Sequence, residues 1–239
     1  MIGAKLSGQS GERSGELRYR HEWKHEINYA DRLVLLARLS AVMKRDAHAV
    51  DGTYRIRSLY FDTPDDKALR EKRDGVDRRE KFRIRYYNGD LSWIVLEKKC
   101  KLGGLCAKES CRLTPEEAQR IVDGDPGWML SADRPLCLEL YAKMNAQGLR
   151  PKTIVDYTRD PFVFGPGNVR VTIDYNIRTG DFRTDFLNPE TLTLPAGDAP
   201  MILEVKWDDY LPDIIKDAVS LPGRRVSAFS KYEQCRVYG

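Results

Sequence analysis

Basic residues alternate along the segment 81–99, KFRIRYYNGDLSWIVLEKK. Successive side chains of a strand project to opposite faces, so Lys81, Arg83 and Arg85 share one face and the apolar residues between them share the other. When one side of a single strand is polar, that side is most often exposed to solvent. Such faces normally mix charges, because like charges on neighbouring positions repel. The run of three bases therefore indicates a face that binds an anionic ligand, provided that other strands repeat it.

The same segment is predicted to be a hairpin that turns at Asn88-Gly89-Asp90. Asn-Gly supplies the positive φ angles of a tight turn, and β-branched and aromatic residues fill both arms. Alternation with a period of two recurs elsewhere, so the sequence predicts eight strands. Their ranges are 19–27, 54–62, 81–87, 91–99, 105–113, 151–164, 169–179 and 201–207.

Helices are predicted between and after these strands. Thr114, Pro115 and Glu117 form the pattern of a capping box with proline at the first helical position. Asp31 is predicted to cap an amphipathic helix that runs to about Met43. The other predictions are a short helix from Pro64 through Arg70, helices over 136–145 and 213–221, and a small hairpin around Leu192.

Most of the predicted strands carry a charged residue on the same side as the basic face. About eight antiparallel strands can close into a barrel that holds one ligand, and closure removes exposed strand edges. We therefore predict an α+β fold, a closed eight-stranded antiparallel β-barrel with helices packed outside. Its cavity is lined with Lys and Arg, which is unfavourable unless water, counter-ions or an anionic substrate occupy it.

Length and composition limit the classes of protein that fit. The 239 residues are predicted to form one domain over 18–239, after a disordered leader over 1–17 that is rich in Gly, Ser and charge. The net charge of only +4 argues against a general nucleic-acid binder, and the basic face lacks an array of aromatic residues for stacking bases. Five cysteines without zinc-site spacing and three histidines do not predict a zinc site or a His-based triad. No apolar run has the length of a membrane helix, and no signal peptide is evident, so we expect a cytosolic protein without direct membrane insertion.

Arginine and lysine on one face suit a chain of phosphates. The planar guanidinium fork makes paired hydrogen bonds to phosphate, and lysine adds mobile point charges. The acids Glu204 and Glu22 lie on the charged sides of their strands. They could hold a divalent cation, since Mg²⁺ and Mn²⁺ take carboxylate and phosphate oxygens. For each acid, a salt bridge to a neighbour such as Lys206 or Lys24 is an equally good interpretation.

An ordered series of short motifs resembles the VTC domain, the polyphosphate polymerase branch of the triphosphate tunnel metalloenzymes. The resemblance covers about residue 18 to the C-terminus. In the family's order, the motifs are Arg20-His-Glu-Trp-Lys24, Ser58-Leu-Tyr-Phe-Asp62, Lys81-Phe-Arg-Ile-Arg85, Leu96-Glu-Lys-Lys99, Arg159, Val169-Arg-Val-Thr-Ile-Asp174, Leu203-Glu-Val-Lys206 and Phe229-Ser-Lys-Tyr232.

The resemblance implies transfer of the terminal phosphoryl group of ATP to inorganic polyphosphate, with Mn²⁺ or Mg²⁺ as the cofactor. It also implies a tunnel fold with helices outside. Combined with the strand pattern, it predicts catalytic residues Arg83, Arg85, Lys99, Arg159 and Arg170, substrate-binding residues Lys24, Lys81, Lys108, Lys206 and Lys231, and metal ligands Glu204 and Glu22.

Two positions depart from the family pattern. Ala228 stands where the family's yeast polymerase carries a second lysine, and the difference is expected to affect polyphosphate handling or the polymerase rate. Arg20 stands where the wider superfamily has the first of two acids, which favours a polymerase over a hydrolase. A triphosphate hydrolase and a non-catalytic polyanion-binding module stay open as alternatives, and any link to a membrane would require a membrane-protein partner.

Overall fold

The chain was analysed as a computed structural model that describes residues 18–198 and 200–237, so the predicted leader over 1–17 lies outside the described residues. The strands are β1 (His21–Ile27), β2 (Lys44–Arg45), β3 (Tyr54–Asp62), β4 (Arg79–Tyr87), β5 (Asp90–Leu102), β6 (Leu105–Leu113), β7 (Arg150–Phe164), β8 (Val169–Thr179), β9 (Leu194–Pro195) and β10 (Met201–Trp207). The α-helices are α1 (Tyr29–Val42), α2 (Lys67–Arg73), α3 (Pro115–Val122), α4 (Pro135–Gln147), α5 (Asp213–Val219) and α6 (Lys231–Val237).

All eight predicted strands are present and belong to one antiparallel sheet. Their order is β1-β10-β8-β7-β3-β4-β5-β6, with the two-residue strands β2 and β9 added to β7 and β8. The predicted turn between β4 and β5 has positive φ angles at Asn88 and Gly89, 53° and 77°. The register of this hairpin sets Lys81 opposite Lys99 and Arg83 opposite Glu97. The antiparallel α+β architecture is thereby confirmed.

The first and last strands of this order approach each other at one point. The backbone N–H of Arg20 donates to the carbonyl of Cys106 at 2.9 Å, and the N–H of Cys106 donates to the carbonyl of Arg20 at 3.0 Å. This single antiparallel bridge joins the chain just before β1 to β6. The closure of all eight strands into a complete barrel stays a prediction.

Two apolar clusters cover the outer face of the sheet, as predicted from the alternation. One packs α3 and α4 on β3, β4 and β5, and its centre includes Phe82, Ile84 and Leu96. The other packs α1 and α5 on β1, β8 and β10 around Leu35 and Val205. Burying apolar side chains under the helices frees the opposite face of the same strands for polar residues.

Helix α6 differs from the prediction that the helices pack outside. Its residues Tyr232 and Cys235 pack with Tyr60, Tyr157 and Ile202. Ile202 has the same parity as Glu204 and Lys206 in β10, so α6 covers part of the charged face of the sheet. This part of the face is apolar, and burying it beneath a helix removes it from water.

The start of α1 is set by Asn28, whereas the sequence predicted Asp31 as the N-cap. The side-chain oxygen of Asn28 accepts from the N–H of Asp31 at 2.9 Å, and the Asp31 carboxylate accepts from the N–H of Asn28 at 3.0 Å. This reciprocal pair is a capping box, in which Asp31 occupies the third helical position.

Helix α2 begins later than predicted, at Lys67 and not at Pro64. Asp66 adopts the left-handed conformation with φ of 55°, which a helix start at Pro64 would exclude. The buried carboxylate of Asp62 instead accepts from the N–H groups of Ala68 and Leu69 at 2.8 and 3.1 Å, which satisfies the first turn of the helix.

The predicted hairpin around Leu192 is wrong. The only strand in the described part of this loop is Leu194–Pro195, and it pairs with Arg178 and Thr179 at the end of β8. A long neighbouring strand offers these two residues a partner, so they extend the existing sheet and form no local turn.

Candidate active site

One cavity of about 450 Å³ lies against the charged face of the sheet. All twelve residues predicted for the site line it, although they come from seven different strands and from α6. They are Glu22, Lys24, Lys81, Arg83, Arg85, Lys99, Lys108, Arg159, Arg170, Glu204, Lys206 and Lys231. The structure thus brings these side chains together, and the role assigned to each stays a prediction.

Glu97 holds three of the predicted bases. Its carboxylate lies 2.7 Å from Nη2 of Arg83, 3.5 Å from Nη1 of Arg85 and 2.9 Å from Nζ of Lys108. Only 2% of Glu97 is exposed. Burial raises its pKa, but the charges of Arg85 and Arg83 outweigh burial and hold the pKa well below its usual value. Glu97 is therefore ionised and fixes the three cations at one point of the cavity.

Two tyrosines orient the arginines of β4. Nη1 of Arg83 donates to the hydroxyl of Tyr60 at 2.6 Å, and Nη2 of Arg85 donates to the hydroxyl of Tyr157 at 3.0 Å. Burial favours a higher pKa for Tyr60, but the nearby charge of Arg83 leaves the pKa of that hydroxyl below its ordinary value. Each guanidinium is thus held from two sides before any ligand binds.

A second group surrounds Asp174, which is fully buried. Arg159 donates to its carboxylate through Nε at 2.6 Å and Nη2 at 2.8 Å, and the ammonium of Lys231 pairs with the same carboxylate. Nη2 of Arg159 also lies 3.3 Å from Oε2 of Glu204. This contact links the Asp174 group to the acids predicted to bind metal.

Glu22 and Glu204 alternate with lysines across β1 and β10. The register places Glu22 opposite Lys206 and Lys24 opposite Glu204. Glu22 lies 3.0 Å from Nζ of Lys24 and 2.7 Å from Nζ of Lys99, and Glu204 lies 3.2 Å from Nζ of Lys206. Burial raises the pKa of Glu22, but the ammonium groups of Lys24 and Lys99 lower it to about 2. Both acids therefore balance lysines in the absence of a ligand.

The chemistry of these two acids fits a divalent cation. Mg²⁺ is usually bound by one or two carboxylates together with substrate phosphates and water, and Glu22 and Glu204 supply two carboxylates that face the same cavity. Within residues 18–198 and 200–237, no group of three His, Cys, Asp or Glu side chains is arranged to hold a metal. Phosphate oxygens and water would supply the remaining ligands of such a cation.

Two bases stand apart from the paired groups. Arg170 pairs with Asp46 at 3.0 Å, and its Nε is buried without a hydrogen-bond partner in the described part of the chain. Lys81 has no carboxylate within 4.0 Å among the described residues, and its Nζ donates only to Oγ of Ser230 at 3.2 Å. These two cations keep donors that a phosphate could accept from.

Sequence reasoning did not assign a role to Glu97, Asp174, Tyr60 or Tyr157. The available signal was the even spacing along the strand, which places Glu97 on the same face as Lys99 and Asp174 on the same face as Arg170. Parity places a residue on the charged face but does not identify the bases it will hold. That depends on the stagger between neighbouring strands.

The affinity of this cavity for phosphate is expected to fall as the pH rises above neutrality. Burial, followed by the charge of Lys24, lowers the pKa of Lys81 to about 7, so the side chain must take up a proton to bind an anion at higher pH. The loss will approach about tenfold per pH unit above pH 7. Titrations with long-chain polyphosphate, followed by calorimetry between pH 6 and 9, will measure it.

Lys81→Arg is the matched variant for this measurement, because arginine stays charged throughout the range. The ligand titrates equally with both proteins, so the difference between them isolates Lys81. Parallel pH profiles for wild type and Lys81→Arg would contradict the assignment.

Comparison with known proteins agrees with this fold. A family model described as the VTC domain matches residues 19–238. A Hippeastrum protein, described as an adenylyl cyclase with a dominant triphosphatase activity, has a TM-score of 0.56 at 14% identity, over 89% of this chain and 93% of that protein. A Pyrococcus horikoshii protein has a TM-score of 0.49 at 12% identity, over 91% and 99% of the two chains. The Mimivirus capping enzyme triphosphatase has a TM-score of 0.42 at 11% identity, over 86% and 87%.

No curated protein sequence matches the chain significantly. The likeness to the Hippeastrum protein shows a shared fold. The family model covers residues 19–238, a range that includes the motifs from Arg20 to Tyr232. The chain therefore belongs to the VTC domain family.

Proposed function

We propose that this protein transfers the terminal phosphoryl group of ATP to an inorganic polyphosphate chain in a metal-dependent reaction. The observation that carries the proposal is the convergence of ten predicted bases, from distant parts of the chain, on one cavity. In this proposal the eight strands close around the cavity as a tunnel, which the bridge between Arg20 and Cys106 supports.

The charge of the cavity supports a polyanionic substrate. Fifteen Arg and Lys residues line it against four Glu residues, while the whole chain carries a net charge of only +4. The positive field is therefore local to the cavity. Oγ1 of Thr172 and Nε of Arg170 are buried there without partners in the described residues, so a ligand has donors to meet.

In the proposed reaction the terminal phosphate of the acceptor chain is the nucleophile. Arg83, Arg85 and Arg159 bind the transferring phosphoryl group and neutralise the charge that spreads over its oxygens, so no covalent intermediate on the protein is needed. Lys24, Lys99 and Lys206 pair with Glu22 and Glu204 in the structure, and in the proposed reaction they exchange these acids for the phosphates. A Mn²⁺ or Mg²⁺ bound by Glu204 and Glu22 would add charge neutralisation at the same phosphates.

Glu204→Gln is expected to weaken Mn²⁺ binding at least about tenfold, because one of two carboxylate ligands loses its charge. Electron paramagnetic resonance of free Mn²⁺ in titrations with the protein and tripolyphosphate measures this directly, without turnover. Glu109→Gln is the matched control, since Glu109 pairs with Lys98 and does not line the cavity. Unchanged Mn²⁺ affinity in Glu204→Gln would refute the assigned role.

The proposed reaction is tested by incubating the purified protein with ATP, Mn²⁺ and a short polyphosphate primer. Lengthening of the primer on a gel, matched by formation of ADP, is the expected result. Release of orthophosphate without lengthening would show a hydrolase. Tight binding of primer without turnover would show a non-catalytic module.

Hydrolysis of a triphosphate in the same cavity is the second candidate. The Hippeastrum protein that shares the fold is described as having a dominant triphosphatase activity, which favours this candidate. Arg20 favours the polymerase, because it pairs with Asp208 at 2.7 Å where the superfamily pattern expects a carboxylate.

The remaining proposals concern location and partners. Among the described residues no helix is long and apolar enough to cross a bilayer. A cytosolic location and a membrane-protein partner are proposals that come from the sequence. ATP, inorganic polyphosphate and Mn²⁺ or Mg²⁺ are the proposed ligands, and nucleic acid is not among them.

A further inference from the structure

One end of the cavity carries like charges directly opposite each other on neighbouring strands. Arg79 of β4 lies opposite Lys101 of β5, and Lys81 lies opposite Lys99 two pairs further along. Lys99 in turn lies opposite Lys108 of β6. Like charges in directly opposed positions destabilise a sheet. The arrangement therefore needs an anion to compensate for its cost.

Three of the cations at these opposed positions also lack the carboxylate partners found elsewhere in the cavity. Within the described residues, Arg79, Lys81 and Lys101 have no Asp or Glu oxygen within 4.0 Å, whereas each of the other nine bases predicted for the site has one. Arg79 donates through Nη1 to the carbonyl of Val76, which leaves most of its donors free. All three side chains are half-buried and line the same cavity.

The three cations continue the line of arginines along β4. Arg79, Lys81, Arg83 and Arg85 occupy alternate positions of one strand, so their Cα atoms span roughly 20 Å at about 3.3 Å per residue. A triphosphate, whose phosphorus atoms are joined by single bridging oxygens, is shorter than this span, whereas a longer phosphate chain can match it.

The turn beside this end is hydrogen-bonded to the segment that precedes β4. The N–H of Gly103, in the turn between β5 and β6, donates to the carboxylate of Asp77 at 3.0 Å. Asp77 lies two residues before Arg79, and Gly103 lies two residues after Lys101. The two cations are thus held on connected segments before a ligand arrives.

We propose that Arg79 and Lys101, together with Lys81, form a second phosphate subsite that holds the part of a polyphosphate chain extending beyond Arg83 and Arg85. The inference rests on the proposed function and specifies its substrate as chains longer than a triphosphate. The subsite adds affinity for chains longer than a triphosphate, because phosphates beyond the third meet cations that have no carboxylate partner among residues 18–198 and 200–237.

The test compares two ligands and a double variant. Calorimetry at constant salt measures the affinity of tripolyphosphate and of size-fractionated long-chain polyphosphate for wild type and for Arg79→Gln/Lys101→Gln. Long-chain affinity is expected to fall at least about tenfold more than tripolyphosphate affinity. Arg55→Gln/Lys216→Gln removes the same two charges from exposed positions outside the cavity and is expected to leave the ratio unchanged.

Three results would overturn the subsite. The first is an equal loss of affinity for both ligands in the double variant, and the second is no loss of affinity for the long chain. The third is that wild type binds a single-stranded nucleic acid of equal charge as tightly as polyphosphate. Thermal unfolding of the double variant checks its fold, and relief of the opposed charges is expected to keep it at least as stable as wild type.

The outcomes for the subsite and for the proposed function can be told apart. A protein that does not lengthen the primer but loses its preference for long chains in the double variant keeps the subsite and loses the polymerase. A protein that lengthens the primer while the double variant keeps its preference keeps the polymerase and loses the subsite.

Discussion

Replacing Arg83 or Arg85 with alanine is expected to lower the rate of phosphoryl transfer at least about tenfold. Replacing both is expected to lower it about a hundredfold, because each guanidinium group would contact the transferring phosphoryl group. Each side chain aims charged donors into the cavity and is held there by Glu97 and by the hydroxyl of Tyr60 or Tyr157. Preorganised donors of this kind stabilise charge in the transition state without reorganising. Their loss therefore lowers kcat, in addition to weakening substrate binding.

The measurement is the initial rate of ADP formation with ATP, Mn²⁺ and primer over a range of substrate concentrations. Arg55→Ala is the control, because Arg55 lies on β3 at an exposed position and does not line the cavity. If the Arg83→Ala and Arg85→Ala proteins are folded and turn over at the wild-type rate, neither arginine contacts the reacting phosphate.

Glu97→Gln is expected to have the largest effect on stability, a loss of about 3–5 kcal/mol in the free energy of unfolding. The substitution keeps the shape of the side chain but removes the buried negative charge that Arg83, Arg85 and Lys108 share. Two of these cations then repel each other in a poorly solvated place. Urea unfolding followed by circular dichroism measures the loss.

Added phosphate separates this explanation from a simple packing defect. Tripolyphosphate is expected to restore more stability to Glu97→Gln than to wild type, because the ligand replaces the missing charge. Glu26→Gln is the control, since Glu26 is exposed on β1 and has no ion pair among the described residues. Equal stabilisation of all three proteins by tripolyphosphate would contradict this account of Glu97.

Local sequence determined the strands and the face to which each side chain points. The alternation of Lys81, Arg83 and Arg85 with apolar residues required one basic and one apolar face, and the predicted site residues on strands line the cavity for that reason, whereas Lys231 lies on α6. Parity depends only on neighbouring residues in the chain, so no tertiary contact was needed to predict it.

Pairing between charges was decided by the tertiary structure. Arg57 of β3 pairs with Asp156 of β7 at 2.9 Å and does not line the cavity. Glu97 pairs with Lys108, 11 residues away in the sequence, and Glu22 pairs with Lys99, 77 residues away. Such contacts follow from the stagger and curvature of the sheet, which a period-two pattern does not contain.

The sequence by itself thus determined that a row of cations would share one face of an antiparallel sheet, and the order of its motifs indicated the family. Only the tertiary structure decided that α6 covers an apolar part of that face and that Arg79, Lys81 and Lys101 lack carboxylate partners among the described residues. The physical reason is the range of the interactions. Side-chain direction along a strand is local, whereas the neutralisation of a buried charge depends on whichever distant strand is placed beside it.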